Sequence, residues 1–202
     1  MNILGLKTSH DAGIAGVSGD KLTFAVEVEK FDNNNRHSVM SDPEIVGKVV
    51  KEFQFPSELI SIDGWKKSFS KELQCPVAPY HDFDGGRVAD FSGEQFLNGL
   101  KLFGQDLPYC SFPHSLGHIL GAYMTSEFAV EKEPAYVLVW DGGQNARIHY
   151  IAPKTANPIR FIANAHNIYG TLYGIMGLYF GPYKNMKPAI SRKGEKFGHM
   201  DW

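Results

Sequence analysis

One pattern constrains this chain more than any other: three strand-like segments joined by tight turns occur twice. The first copy starts with Asn2-Ile-Leu-Gly-Leu-Lys-Thr8. It continues through the small and branched residues Ala12 to Ser18, turns at Ser18-Gly19-Asp20 and ends in Leu22 to Val28. Alternating character over such short runs marks half-buried strands. The second copy covers residues 135–141, 146–152 and 158–163, with Val137-Leu-Val-Trp-Asp141 as its first strand. Each first strand runs out on polar groups at a turn, His10-Asp11 in one copy and Asp141-Gly142-Gly143 in the other. Backbone N–H groups at such a turn point out of the sheet edge and can cradle a phosphate, while the carboxylate can hold a cation.

Between the copies the spacing predicts further elements. Ser41-Asp42-Pro43-Glu44 reads as a helix start, followed by Ile45, Val46, Val49, Val50 and Phe53 on one face. Leu59 to Ile62 reads as a short strand, and Glu94 to Phe103 as a helix. Helices are also expected over 114–128 and 168–180. Two strand triplets with their turns facing one cleft form the layout of actin, sugar-kinase and heat-shock-ATPase-like (ribonuclease H-like) folds. The expectation is an α/β chain with mixed sheets, a first lobe over residues 1–130 and the start of an incomplete second lobe over 131–202. Strand–turn–strand units also recur in mixed proteins of other folds, so the pattern leaves that alternative open.

Composition narrows the function classes. Over 202 residues the formal net charge is −2, and Lys and Arg are scattered, which argues against a dedicated nucleic-acid surface but not against a nucleotide ligand. No apolar run reaches the roughly 18 residues a membrane helix needs, and the first residues read as a strand rather than a signal peptide. Two cysteines, Cys75 and Cys110, are too few for a disulfide framework, and a cytoplasmic chain with reduced thiols is expected. A GxSxG elbow, a Walker-type lysine loop and a CxxC pair are all missing from the sequence, which removes support for Ser–His hydrolysis and P-loop chemistry.

The sharpest chemical feature is His114 and His118. Four residues apart on a helix, they leave the same face one turn apart, so both imidazoles can reach one metal ion. Two histidines at this spacing also pack and hydrogen-bond without any metal. A site needs at least a third ligand, for which His10, Asp11 and Asp141 are candidates. Asp141-Gly142-Gly143 is a candidate phosphate turn, and Gly170 with Tyr173 opens a helix whose N-terminal N–H groups suit a phosphate or nucleotide. Arg36-His37, in an Asn-rich loop, is a candidate anion clamp. Tyr169, Tyr173, Tyr179, Phe180 and Tyr183 read as core aromatics before they read as an adenine-stacking box.

Five segments together resemble carbamoyltransferases of the nodulation and cephamycin-biosynthesis type. They are Ile3 to Ala12 with its His10-Asp11 pair, Val26-Glu-Val-Glu-Lys-Phe31 through Arg36-His37, and Pro113-His114-Ser-Leu-Gly-His118 with Gly121-Ala-Tyr123. Val139-Trp-Asp141-Gly142-Gly143 and Asn167-Ile-Tyr-Gly170-Thr-Leu-Tyr173 complete the set. The resemblance implies an N-terminal part with the actin/sugar-kinase fold, related to the universal tRNA threonylcarbamoyl-transfer enzyme. It implies an iron-type divalent metal held by the His pair and an Asp, acting as a Lewis acid. The donor it implies is carbamoyl-adenylate, made from carbamoyl phosphate and ATP in a second domain, with transfer to a hydroxyl on a small molecule, sugar or nucleoside. His10, Asp11 and His37 would then be catalytic, and Asp141, Gly142, Gly143, Gly170 and Tyr173 would hold the adenylate. Two departures stand out: the loop before Arg36-His37 is one residue longer with Asn33 to Asn35 in place of a basic residue, and the chain ends at Trp202 near the family's lysine-methionine-glycine segment.

Three function classes follow. The first is an O-carbamoyltransferase component whose missing C-terminal half is supplied by a partner chain; separately, an exposed sheet edge in the second lobe leads us to expect association of the chain with itself or with a partner. The second is a shortened, non-catalytic module that binds a nucleotide or a partner. The third is an ATPase or kinase of the same superfold.

Overall fold

The computed structural model describes residues 1–32, 39–40, 42–65, 69–80, 83–84, 87–88, 94–142, 145–169 and 172. The chain divides into two compact units, Met1–His118 and Ile119–Trp202. Both belong to the α/β class, with mixed and antiparallel sheets and few helices.

The first unit begins with strands β1 (Asn2–Lys7), β2 (Gly13–Ser18) and β3 (Lys21–Glu27), an antiparallel meander as the alternation predicts. Helices α1 (Glu29–Asp32) and α2 (Glu44–Glu52) then carry the chain to β4 (Leu59–Asp63), which lies parallel to β1. Small ribbons follow: β5 (Phe69–Ser70) with β6 (Cys75–Pro76), and β7 (Phe83–Asp84) with β8 (Arg87–Val88). Strands β9 (Glu94–Leu102) and β10 (Gln105–Phe112) complete a six-stranded sheet of order β3-β2-β1-β4-β10-β9, in which β10 is parallel to β4. The core lies where Leu4, Leu6, Ile14, Ile60 and Ile62 meet Val46 and Val49 of α2, with Ile45 and Val50 partly buried beside them. Just before α2 the Asp42 carboxylate accepts the Glu44 N–H at 2.9 Å, while Pro43 stands at the N-cap without a side-chain cap.

Residues Glu94–Phe103 are not a helix. They form β9, and the reason is the turn that follows. Phe103 and Gly104 both take left-handed φ values, 55° and 70°, and Leu102 faces Gln105 across them, so they make a two-residue hairpin loop. Pairing with β10 buries Leu100 and Leu102 on one side and stacks Phe96 on Tyr109 with ring centroids 4.7 Å apart. Leu97, which a helical face would cover, is 86% exposed.

The predicted helix over 114–128 is two helices, α3 (His114–Met124) and α4 (Glu127–Glu131). Ser126 between them is extended, and the hydroxyls of Thr125 and Ser126 donate back to the carbonyls of Gly121 and Tyr123, which draws the backbone out of the helix. In the second unit the Tyr123 hydroxyl ties this corner together by donating to the carbonyls of Phe128 and Glu133. Strands β11 (Ala135–Val139), β12 (Asn145–Ile151) and β13 (Ile159–Tyr169) form an antiparallel meander, the second strand triplet. Ala135, Val137 and Val139 face inward, while Tyr136, Leu138 and Trp140 face outward and exposed. Strand β13 runs on to Tyr169, so the helix expected from 168 does not begin there, and the rest of that segment lies outside the described residues.

Cys75 and Cys110 are both free, buried thiols. Burial pushes Cys75 up to about 11, eased by Tyr109, so it is a packing residue rather than a nucleophile. No helix among the described residues is long and apolar enough to cross a membrane.

Gly64 follows β4 where three backbone carbonyls converge. A Cβ there would lie 2.5 Å from the Phe112 oxygen, 2.6 Å from that of Pro79 and 2.7 Å from that of Ala78. The close approach lets the Gly64 N–H donate to Phe112 and the Trp65 N–H to Ala78. Gly64→Ala is therefore expected to destabilise the chain by about 1–3 kcal/mol, since backbone rather than a flexible side chain must move. A denaturant midpoint equal to that of the wild type would remove this role.

Candidate metal centre and active site

The carboxyl ends of the three parallel strands β1, β4 and β10 lie side by side, the edge at which open α/β sheets bind ligands. Each strand delivers side chains there: Lys7 at the end of β1 with His10 and Asp11 after it, Asp63 at the end of β4 with Trp65 after it, and His114 after β10. Segment 78–80 closes one side. The His114 N–H donates to the Pro79 carbonyl and the Ser115 N–H to that of Tyr80, so the first turn of α3 is satisfied by this loop.

His114 is buried at 6% exposure. Its ring stacks on Tyr80 with centroids 4.8 Å apart and meets Trp65 edge-on at 5.2 Å. Its Nδ1 lies 2.7 Å from Asp63 Oδ2, and its Nε2 lies 3.0 Å from Nε2 of His118, one turn along the same helix. The two imidazoles are nearly perpendicular. The contacts thus pair His114 Nδ1 with the Asp63 carboxylate and its Nε2 with His118. His118, open to solvent on its outer side, is held below the usual histidine range, first by the burial of its inner side and then by His114, with Asp63 opposing. It therefore stays neutral at lower pH than an ordinary histidine, and protons compete less with a metal for it.

This donor set fits a divalent transition metal. Two nitrogens each about 2.1 Å from one ion and roughly at right angles lie about 3 Å apart, and imidazole suits iron- and zinc-type ions. The observed 3.0 Å separation matches that distance. A carboxylate on the far side of a ligating imidazole is the usual outer partner of such a ligand.

His10 and Asp11 share this edge. Asp11 Oδ2 lies 2.7 Å from His10 Nδ1, and the His10 ring meets Trp65 at 5.0 Å. Asp11 takes a left-handed φ of 53°, and the Lys7 ammonium donates to the carbonyls of His10 and Asp11, pinning the loop. Trp65 thus stands between His10 and His114. His37, with Arg36, lies outside the described residues, as do Gly143, Gly170 and Tyr173. In the second unit Asp141 follows β11, and its Oδ1 accepts the Gly142 N–H at 2.6 Å.

Asp63, Trp65 and Tyr80 were not singled out from the sequence. A usable signal was there: Leu59-Ile-Ser-Ile-Asp63-Gly64 is an apolar strand ending in Asp-Gly, the same signature that marks Asp141-Gly142.

A family model described as carbamoyltransferase N-terminus matches residues 2–196. The chain belongs to this carbamoyltransferase family. It is 35% identical to nodulation protein U of Azorhizobium caulinodans over 197 residues, covering 92% of this chain and 34% of that protein. Nodulation protein U of Bradyrhizobium diazoefficiens is 34% identical, over 91% of this chain and 33% of its own length. A 3'-hydroxymethylcephem-O-carbamoyltransferase of Amycolatopsis lactamdurans is 22% identical over 96% of this chain and 35% of that protein. The chain thus spans about a third of the length of the curated relatives it matches. No solved structure matches it.

Proposed function

We propose that this chain is the metal-holding N-terminal part of an O-carbamoyltransferase that moves a carbamoyl group from carbamoyl-adenylate to a hydroxyl acceptor. The observation that carries the reading is the pairing of the His114 and His118 Nε2 atoms at 3.0 Å, at the carboxyl ends of three parallel strands, in a chain of this family. An iron-type ion held by the pair supplies Lewis acidity toward the carbamoyl carbonyl. His10 serves as the general base: Asp11 accepts its Nδ1–H and fixes the ring, which leaves Nε2 to take the proton of the acceptor hydroxyl. His37 is assigned to the same proton-handling set. Asp141, Gly142 and Gly143, with Gly170 and Tyr173, are assigned to the phosphate and nucleoside of the adenylate. The sheet order β3-β2-β1-β4-β10, a meander followed by two parallel strands, supports the ribonuclease H-like reading of the first unit. Adenylate formation from carbamoyl phosphate and ATP is assigned in this reading to a second domain, contiguous or on a partner chain.

The reading is tested by anaerobic titration of the full chain with Fe(II), and with Co(II) for its visible spectrum. About one ion per chain, with a spectrum showing nitrogen ligation, is expected. A chain that takes up neither ion at micromolar concentration overturns the metal assignment. Uptake without carbamoyl transfer, once the remaining part of a relative is added in trans, selects the binding-module alternative.

A further inference from the structure

We propose that Asp63 is a positioning residue: its carboxylate locks the His114 imidazole in the Nδ1–H tautomer and so turns the bare Nε2 toward His118 as a ligand atom. The inference rests on the metal reading above and deepens it. Three features hold the arrangement. Asp63 is the last residue of β4, a central strand paired on both sides, so its backbone is fixed. Gly64 behind it packs against three carbonyls and leaves the turn no room to swing. Tyr80 covers one face of the His114 ring and Trp65 meets it edge-on, while the Asp63 carboxylate lies 2.7 Å from its Nδ1.

The tautomer matters because of the second contact. Only one proton fits between two Nε2 atoms 3.0 Å apart. With Asp63 holding a proton on His114 Nδ1, that one proton sits on His118 Nε2 in the metal-free protein, and ligation through both Nε2 atoms requires His118 to exchange it through solvent for a proton on its Nδ1. Without Asp63, the Nδ1–H form that His114 needs as a ligand loses the acceptor 2.7 Å from its Nδ1. Outer carboxylate partners of ligating histidines are worth about 10- to 100-fold in metal affinity.

The test uses the full chain, uniformly 15N-labelled, with two readouts. Long-range 1H–15N correlation on the metal-free protein reports the tautomer of His114, and chelator competition with Co(II) reports affinity. In the wild type His114 is expected as Nδ1–H. Asp63→Ala is expected to populate the Nε2–H form and to weaken Co(II) binding about 10- to 100-fold. Asp63→Asn keeps an acceptor oxygen in place, so it is expected to retain the Nδ1–H tautomer and to lose less affinity. A His114 that is Nε2–H in the wild type, or an Asp63→Ala protein with unchanged tautomer and affinity, overturns the proposal. If Asp63→Ala does not fold, Asp63→Asn decides: a switch to Nε2–H despite the retained acceptor counts against it. A wild-type chain that shows the tautomer but binds no metal removes the metal reading and leaves the orienting contact standing.

Discussion

Replacing His114 and His118 together by alanine is expected to abolish metal uptake, from about one ion per chain to a background level. The two Nε2 atoms lie 3.0 Å apart, and a transition-metal site that loses two of its protein ligands retains no useful affinity. The two single variants separate ligation from folding. His118 is exposed on its outer side, so His118→Ala is expected to weaken binding steeply with little effect on stability. His114 is buried between Tyr80, Trp65 and Asp63, so its removal also leaves a void and a carboxylate without its donor. His114→Ala is expected to cost about 1–3 kcal/mol of stability in addition to the lost ligand. Metal content measured by elemental analysis after desalting, with circular dichroism on the same samples, checks both. A folded double variant with unchanged metal content would falsify the site.

Acid is expected to destabilise the chain through His149. This residue sits on the inner face of the second sheet, opposite Val137 on one side and Phe161 on the other, and is 1% exposed. Burial pushes it down to about 4, and the neighbouring Arg147 adds to the shift. The sign follows from proton counting. Between about pH 6.5 and about pH 4 the unfolded chain binds a proton at this site that the folded chain refuses, so stability falls as pH is lowered through that window. Below about pH 4 both states are protonated and the loss levels off. The full shift corresponds to on the order of 3 kcal/mol. Urea midpoints at pH 7.5 and 4.5 check this, compared with His149→Phe, which has nothing to protonate. The wild type is expected to lose more stability than the variant between the two pH values. Equal losses would show that His149 is not the titrating group.

Much of the fold is legible in the residues because its signals are local. Alternation over 2–8, 12–18 and 22–28 marks three strands and the turn at Gly19 joins two of them, so the first meander follows directly. The helix α2 announces itself by Asp42-Pro43 and by Val46 and Val49 three apart. Reading Glu94–Phe103 as a helix failed because the deciding features lie at its end and beyond it, in the Phe103–Gly104 turn and in β10. Phe103 is an unusual residue for a left-handed turn position, and the strand pairing it sets up is a tertiary fact rather than a propensity. The site was half legible for a similar reason. His114 and His118 are neighbours on one helix, so spacing reveals them, and His10-Asp11 stands at a strand end. Asp63 and Tyr80 join the cluster only through the parallel pairing of β4 with β10 and the loop packed on Gly64, which no local pattern encodes.

That same pairing gives the site a place in time. Asp63 and His114 are 51 residues apart in sequence, and the contact between them exists only after β4 and β10 have come into register. Parallel strands closed over such a long stretch are among the slowest contacts a chain makes, whereas the β1–β2–β3 meander closes over short turns. The Asp63–His114 contact is therefore expected to form late in folding. The acquisition of a cobalt spectrum during refolding would clock the step at which the central sheet locks, well after the N-terminal hairpins have formed.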